Sequence, residues 1–320
     1  MELTKKLLGE RTEFLYNRNY SENTIQRYYN DVNLFINYLK LENWVYTIGE
    51  NKITIRNIER WKTYLREIPT PKTSIYYTKR PTISPQTIQG KIQAIRCFLK
   101  FLNLVYDEWL DYRKIETKKY KSDYIECLTE TEFRLLENFI DGYEKYRINA
   151  LRMELLCNIG YTSWLRLSEM LNLKIAEIQK WECRITGKGN KTRWVFFTKS
   201  SSELLENYLE ERGKPIPRTW KIEKPSEFVF ISHNSGYDYG NPIKKNTVCE
   251  IMKKYSDAIN LGKRITVHTL RHSYATRLLE NGLNIREIQE LLGHSDIQTT
   301  QNYCHVLKGS LKNKVMQVFN

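Results

Sequence analysis

Histidine is scarce in this chain, with five residues in 320. Cysteine is scattered: Cys97, Cys127, Cys157, Cys183, Cys249 and Cys304 form no C-x-x-C pair. That spacing excludes a zinc ladder and a secreted disulfide framework, and it fits reduced thiols in a cytoplasm. No stretch approaches the roughly 18 consecutive apolar residues that a membrane span needs. The opening "MELTKKLLGERTEF" lacks the long apolar core of a secretory signal. No internal repeat or low-complexity segment stands out. A soluble, cytoplasmic protein is expected.

What is present is a folding composition with a charge surplus. Hydrophobic residues make up 41%, enough for a packed core rather than a disordered chain. A length of 320 residues suggests about two domains. Lys+Arg 51 against Asp+Glu 37 gives a net charge of +14. Two readings fit that surplus: a polyanionic partner, nucleic acid ahead of membrane, or a merely basic solvated surface.

Helical spacing dominates the first third. In "SENTIQRYYNDVNLFINYL", Ile25, Tyr28, Tyr29, Val32, Phe35, Ile36 and Leu39 share a face, with Ser21 as N-cap. "IRNIERWKTYLREI" repeats the pattern and stops at Pro69. A basic connection interrupted by prolines follows. "SPQTIQGKIQAIRCFLKFLN" then has Ser84 as cap and Pro85 at the first helical position. Its Ile88, Ile92, Ile95, Phe98, Leu99 and Leu102 form a stripe that leaves Lys91, Arg96 and Lys100 on other faces. These segments predict a helical domain over residues 1–112. Residues 113–126, lysine-rich and aperiodic, read as a basic linker or an ordinary solvated tether.

Residues 127–320 read as a second, α-rich domain with a small antiparallel β-sheet. Thr129 and Glu132 form a capping box, and "INALRMELLCNIGYTSWLRLSEMLNLKIAEI" reads as helical. In "WECRITGKGNKTRWVFFT" the period changes, predicting two strands around a "GKGNKT" turn. "SELLENYLEERG" reads as helix, "FVFIS" as a short strand, and "NTVCEIMKKYSDAIN" as helix again.

The histidines now matter. Three of the five, His268, His272 and His294, fall in "VHTLRHSYATRLLENGLNIREIQELLGHSDIQTTQNYCHV" ahead of Tyr303. His268 and Arg271 are one helical turn apart and can face one pocket. His268 and His272 have the i, i+4 spacing of a zinc pair, but no Glu follows the first, and Arg271 would place a fixed cation beside the metal. A structural role for His272, buried and hydrogen-bonded, fits better. With Arg166 and Lys188, the set combines fixed cations with a potential nucleophile, which suits phosphodiester chemistry. A phenol of pKa about 10 needs cations and a base to react. Arginine grips phosphate oxygens in a fork and keeps its charge, and histidine shuttles protons near neutral pH. Neither metal nor other cofactor is called for, since fixed cations supply the electrostatics. "GKGNKT" is not a P-loop, because the G-x-x-x-x-G-K-[ST] spacing is absent.

These residues resemble the signature of the tyrosine recombinases: H-x-L-R-H, then L-L-G-H, then Tyr nine positions beyond that histidine. "GLRxSE" and "GKGxKxR" boxes precede them in family order, and the N-terminal helices look like the family's core-binding domain. The compact layout is most similar to Xer-type enzymes, with mobile-element or phage integrases next. The resemblance implies a mainly α fold: an N-terminal SAM-like core-binding domain, then a catalytic domain. It implies site-specific cleavage and rejoining of double-stranded DNA through a 3′-phosphotyrosyl link, without metal, ATP or membrane. Tyr303 would attack the scissile phosphate, Arg166 and Arg271 would clamp it, and His294 would help. His268 would exchange a proton with the tyrosine, and Lys188 would protonate the leaving 5′ oxygen. Glu169 and His272 would stand behind this set. Thr87, Lys91, Lys191 and Arg193 would contact DNA. The family acts as a homo- or hetero-tetramer, and the tail after Tyr303 could dock on a neighbour or pack in cis. One departure stands out: Trp164 replaces the glycine that opens "GLRxSE". It leaves open a catalytically impaired DNA-binding homologue; a relaxing topoisomerase with the same chemistry lacks the core-binding domain.

Overall fold

The computed structural model describes residues 5–42, 53–68, 82–106, 111–117, 126–179, 182–186, 192–214, 226–233, 239–284 and 286–288. The chain divides into two compact units, Met1–Ser122 and Asp123–Asn320. None of the described helices is long and apolar enough to cross a membrane.

The first unit is built from α1 (Lys5–Tyr16), α2 (Glu22–Leu41), α3 (Ile55–Glu67) and α4 (Pro85–Tyr106). The expected stripe of α2 is buried at Ile25, Tyr28, Val32, Phe35, Ile36 and Leu39, and only Tyr29 stays partly exposed. It meets Ile58, Trp61 and Leu65 of α3 and the six stripe residues of α4. Phe35 and Trp61 set their rings 4.9 Å apart. Ser84 caps α4 as expected, its hydroxyl accepting from the Thr87 amide at 3.2 Å. Ser21 differs. It occupies the N-cap of α2, but its hydroxyl pairs with the Thr24 hydroxyl at 2.9 Å rather than with a backbone amide.

The second unit is organised around α6 (Arg147–Thr162), which is buried continuously from Ala150 to Tyr161. A helix buried all round, with Arg152, Glu154 and Asn158 among its buried residues, has to be covered on every side. α5 (Glu130–Tyr143), α8 (Lys199–Gly213) and α10 (Val267–Glu280) cover it, and α9 (Lys245–Ile259) packs on α5. The expected box starts α5: Glu132 accepts from the Thr129 amide at 2.8 Å, and Thr129 from the Glu132 amide at 3.2 Å. The sheet has three antiparallel strands in sequence order, β1 (Ile178–Gln179), β2 (Glu182–Thr186) and β3 (Thr192–Phe196). β2 and β3 are the expected hairpin, with Cys183 opposite Val195 and Arg184 opposite Trp194. β1 is an addition.

Two expectations fail here. The long helical reading after Ile148 breaks at Ser163–Arg166 and resumes only as the short α7 (Leu167–Leu171). The hydroxyls of Thr162 and Ser163 donate to the carbonyls four residues back, at 2.8 and 2.6 Å, competing with helix continuation. Trp164 then takes φ +54, the left-handed step that commonly follows a helix end. Nor is "FVFIS" a strand. It bends at Val229 and Phe230 between two single bridges, Phe228 to Lys174 on one side and Ile231 to Pro242 on the other. Val229 and Phe230 are both fully buried, so the segment works as a core plug rather than as part of a ladder.

Candidate active site

The helix break places the first arginine. Arg166 is the residue before α7, and Glu169 lies in that helix's first turn. Glu169 Oε2 accepts from the Arg166 amide at 2.8 Å, and Oε1 accepts from Arg166 Nη1 at 2.8 Å. From β3, Arg193 donates through Nη2 to Oε2 at 2.7 Å and through Nη1 to Oε1 at 3.3 Å. One carboxylate therefore holds two guanidinium groups. Burial pushes the Glu169 carboxyl up, but the hydrogen bonds and charges of Arg193 and Arg166 outweigh it, so its pKa lies below the usual glutamate value.

Exposure separates the two arginines. The Arg166 side chain is 42% exposed and is open to a ligand, while those of Arg193 and Glu169 are 11% and 8% exposed. Arg193, expected to contact DNA, is here turned onto Glu169. Arg193 shares its strand face with buried Val195, and the exposed positions of β3 belong to Thr192, Trp194 and Phe196. Strand alternation carried that signal, because residues i and i+2 point to one side.

The second arginine comes from α10. The Thr266 hydroxyl caps this helix, accepting from the Thr269 amide at 3.0 Å. Val267, Leu270, Ala275 and Leu279 face inward. Arg271 is buried with them, only 5% exposed. Its Nη1 donates to the Trp164 carbonyl at 2.7 Å, and its guanidinium carbon lies 3.9 Å from the centre of the Trp164 ring. The indole is itself buried in a small apolar cluster with Ala275, Leu279 and Ile288. So the bulky ring finds a buried seat beside the arginine turn. It is absorbed, with a backbone conformation that costs a residue bearing a Cβ roughly 1–2 kcal/mol. Sequence reasoning flagged the ring but missed its contact with Arg271, because 107 positions separate the two.

His268 lies one turn before Arg271, on the exposed side of α10. Its Nε2 is 2.8 Å from Nε2 of His272, and the rings meet edge to face with centroids 4.1 Å apart. One proton can lie between those nitrogens, so one ring donates and the other accepts. Desolvation by its crowded surroundings, then the charge of Arg271, hold the His268 pKa below the ordinary imidazole value. His272 is half-buried, where full burial was expected, and its ring also meets Trp164 at 6.2 Å.

Of the other expected contacts, Thr87 is exposed in the first turn of α4, its hydroxyl 2.8 Å from that of Ser84. Lys91 is not left on an open face. It is drawn into an ion pair with Asp31 at 2.6 Å, with side-chain exposures of 18% and 9%. Lys188, Lys191, His294 and Tyr303 lie outside the described residues. So does most of "NIREIQELLG", whose start is visible where Asn284 Oδ1 accepts from the amides of Arg286 and Glu287 at 2.9 Å each. Among the described residues no three His, Cys, Asp or Glu side chains gather as metal ligands.

One turn thus holds Arg166 through Glu169 and Arg271 through the Trp164 carbonyl, with the His268 imidazole one helical turn from Arg271. Residues 126–309 match the family model described as the phage integrase family. A tyrosine recombinase XerD from Halalkalibacterium halodurans is 31% identical, covering 92% of this chain and 91% of that protein. A tyrosine recombinase XerC from Pediococcus pentosaceus is 30% identical, covering 94% and 93%. In fold, the chain is similar to the XerH site-specific recombinase in its post-cleavage complex with palindromic difH substrate. That TM-score is 0.64 at 19% identity, covering 97% of this chain and 94% of the other. The chain belongs to the phage integrase family and is a tyrosine-type site-specific DNA recombinase.

Proposed function

We propose that the protein cuts and rejoins DNA strands through a covalent intermediate on Tyr303. The observation that carries this reading is the anchoring of Arg166 on Glu169 and of Arg271 on the Trp164 carbonyl, both fixed before any ligand arrives. Guanidinium groups held in this way lose little freedom on gripping a phosphate and stabilise the charge that builds in the transition state. Tyr303 attacks the scissile phosphorus, forming a 3′-phosphotyrosyl bond as the bond to the 5′ oxygen breaks. Lys188 gives that oxygen its proton, and a free 5′-hydroxyl results. His268, whose lowered pKa keeps it neutral near pH 7, takes the tyrosine proton. His294 shares the phosphate with the arginines. The phosphoester energy stays on the enzyme, so rejoining requires no ATP.

In this reading the helical segment 1–112 and the catalytic domain of residues 127–320 both contact the duplex, and the basic segment 113–126 joins them. Four protomers, of one kind or two, assemble on paired recombination sites in the cytoplasm. The relatives named XerD and XerC, near 30% identity over nearly the whole chain, favour resolution of chromosome or plasmid dimers over mobile-element integration. The test uses a suicide DNA substrate that traps the covalent adduct. The wild type forms a protein–DNA adduct, and Tyr303→Phe forms none. An adduct that persists in Tyr303→Phe overturns the assignment.

A further inference from the structure

Arg271 is held on two sides by a single residue. The Trp164 carbonyl takes its Nη1 proton, and the Trp164 ring lies under its guanidinium carbon at 3.9 Å. The carbonyl is backbone and any residue supplies it. The ring is supplied by tryptophan alone, at φ +54, where glycine would sit without strain. The cluster around the ring, Ala275, Leu279 and Ile288, is contributed largely by the same helix that carries Arg271. Trp164 and α10 are therefore locked together, with the guanidinium stacked on the ring.

We propose that Trp164 is a positioning residue for Arg271: its indole face sets the plane and depth of the guanidinium that grips the scissile phosphate. A cation desolvated against an aromatic face is bound more strongly than one facing an aliphatic side chain. A guanidinium lying over the ring is thereby set in plane and depth by the indole face, in addition to its bond to the Trp164 carbonyl. The proposal rests on the reading of Arg271 as a phosphate clamp. It differs from simple core filling in one respect: an aliphatic side chain fills space but offers no π-face.

The experiment compares Trp164→Phe, which keeps an aromatic face, with Trp164→Leu, which keeps apolar packing only. Single-turnover cleavage is measured on a normal suicide substrate and on one with an uncharged methylphosphonate at the scissile position. The Arg271 guanidinium N–H resonances are recorded for each protein. Positioning predicts that Trp164→Leu cleaves the normal substrate about tenfold more slowly than Trp164→Phe. It predicts that this gap closes on the methylphosphonate, where the clamp has no charge to grip. The ring-current shift of the Arg271 resonances should survive in Trp164→Phe and vanish in Trp164→Leu. Equal rates for the two variants, the same gap on both substrates, or an Arg271 resonance unmoved in Trp164→Leu overturns the proposal. Failure of the Tyr303 reading would show separately, as an adduct in Tyr303→Phe, while the resonances still report whether the ring holds Arg271.

Discussion

At the scale of single residues, Glu169 is the most connected group of the candidate site. Removing one partner of a buried ion pair leaves the other charge without compensation and costs about 3–5 kcal/mol. Glu169→Gln would leave Arg193, 11% exposed, in that position, while a neutral amide keeps part of the hydrogen bonding. The expected outcome is a urea midpoint lowered by the equivalent of about 3 kcal/mol, together with slower DNA cleavage as Arg166 loosens. The pH dependence has a definite sign. The folded pKa of Glu169 is depressed, so its contribution is complete above the usual glutamate range and is lost as pH falls through the folded value. Stability curves of the two proteins should converge on acidification. Parallel curves would show that the carboxylate charge is immaterial.

At the scale of elements, the plug between α8 and α9 makes a second prediction. His233 follows "FVFIS", is 7% exposed, and has Nε2 3.0 Å from the Tyr208 hydroxyl. Burial, then the charges of Arg152 and Arg212, pull its pKa down to about 3. The unfolded chain takes up that proton first, so His233 destabilises the fold as pH falls from the ordinary histidine value towards 3. Between pH 7 and 4.5 the wild type should lose about 1–3 kcal/mol from this group, and His233→Gln should lose correspondingly less. Urea melts at the two pH values measure this, and equal losses would refute it.

The same elements separate what the sequence carries from what it does not. The Thr129 box, the α2 and α4 stripes and the pairing of β2 with β3 were legible because each depends on residues a few positions apart. The spacing of His268 and His272 was visible too, but it read as a disfavoured zinc pair, and the contact between the two rings was not foreseen. The break after Thr162 was not, because a left-handed tryptophan becomes tolerable only when α10 supplies its cluster and its cation. "FVFIS" has the composition of a strand, but its hydrogen-bonding partners are single residues from distant segments. The inward turn of Arg193 follows from its parity with Val195, a strand-face signal two positions long.

At the scale of the whole molecule, the surplus of +14 governs the encounter with DNA. Each phosphate neutralised by the protein adds about −0.9 to the slope of log affinity against log salt. Binding of a duplex should therefore weaken steeply between 50 and 200 mM salt, on the order of a thousandfold if six or more phosphates are engaged. Fluorescence anisotropy measures that slope, and a flat line would mean that the basic surface is solvated and idle. Inside the site the charge is managed differently. A pocket lined only by guanidinium groups would hold a stray anion from the buffer or the cell, which a substrate would first have to evict. Glu169 acts as a resident counter-anion for Arg166 and Arg193, tethered by the chain and unable to leave. On the proposed function, an arriving phosphodiester would compete with water at the open side of Arg166, and the vacant enzyme would stay ready without being stickier than it needs to be.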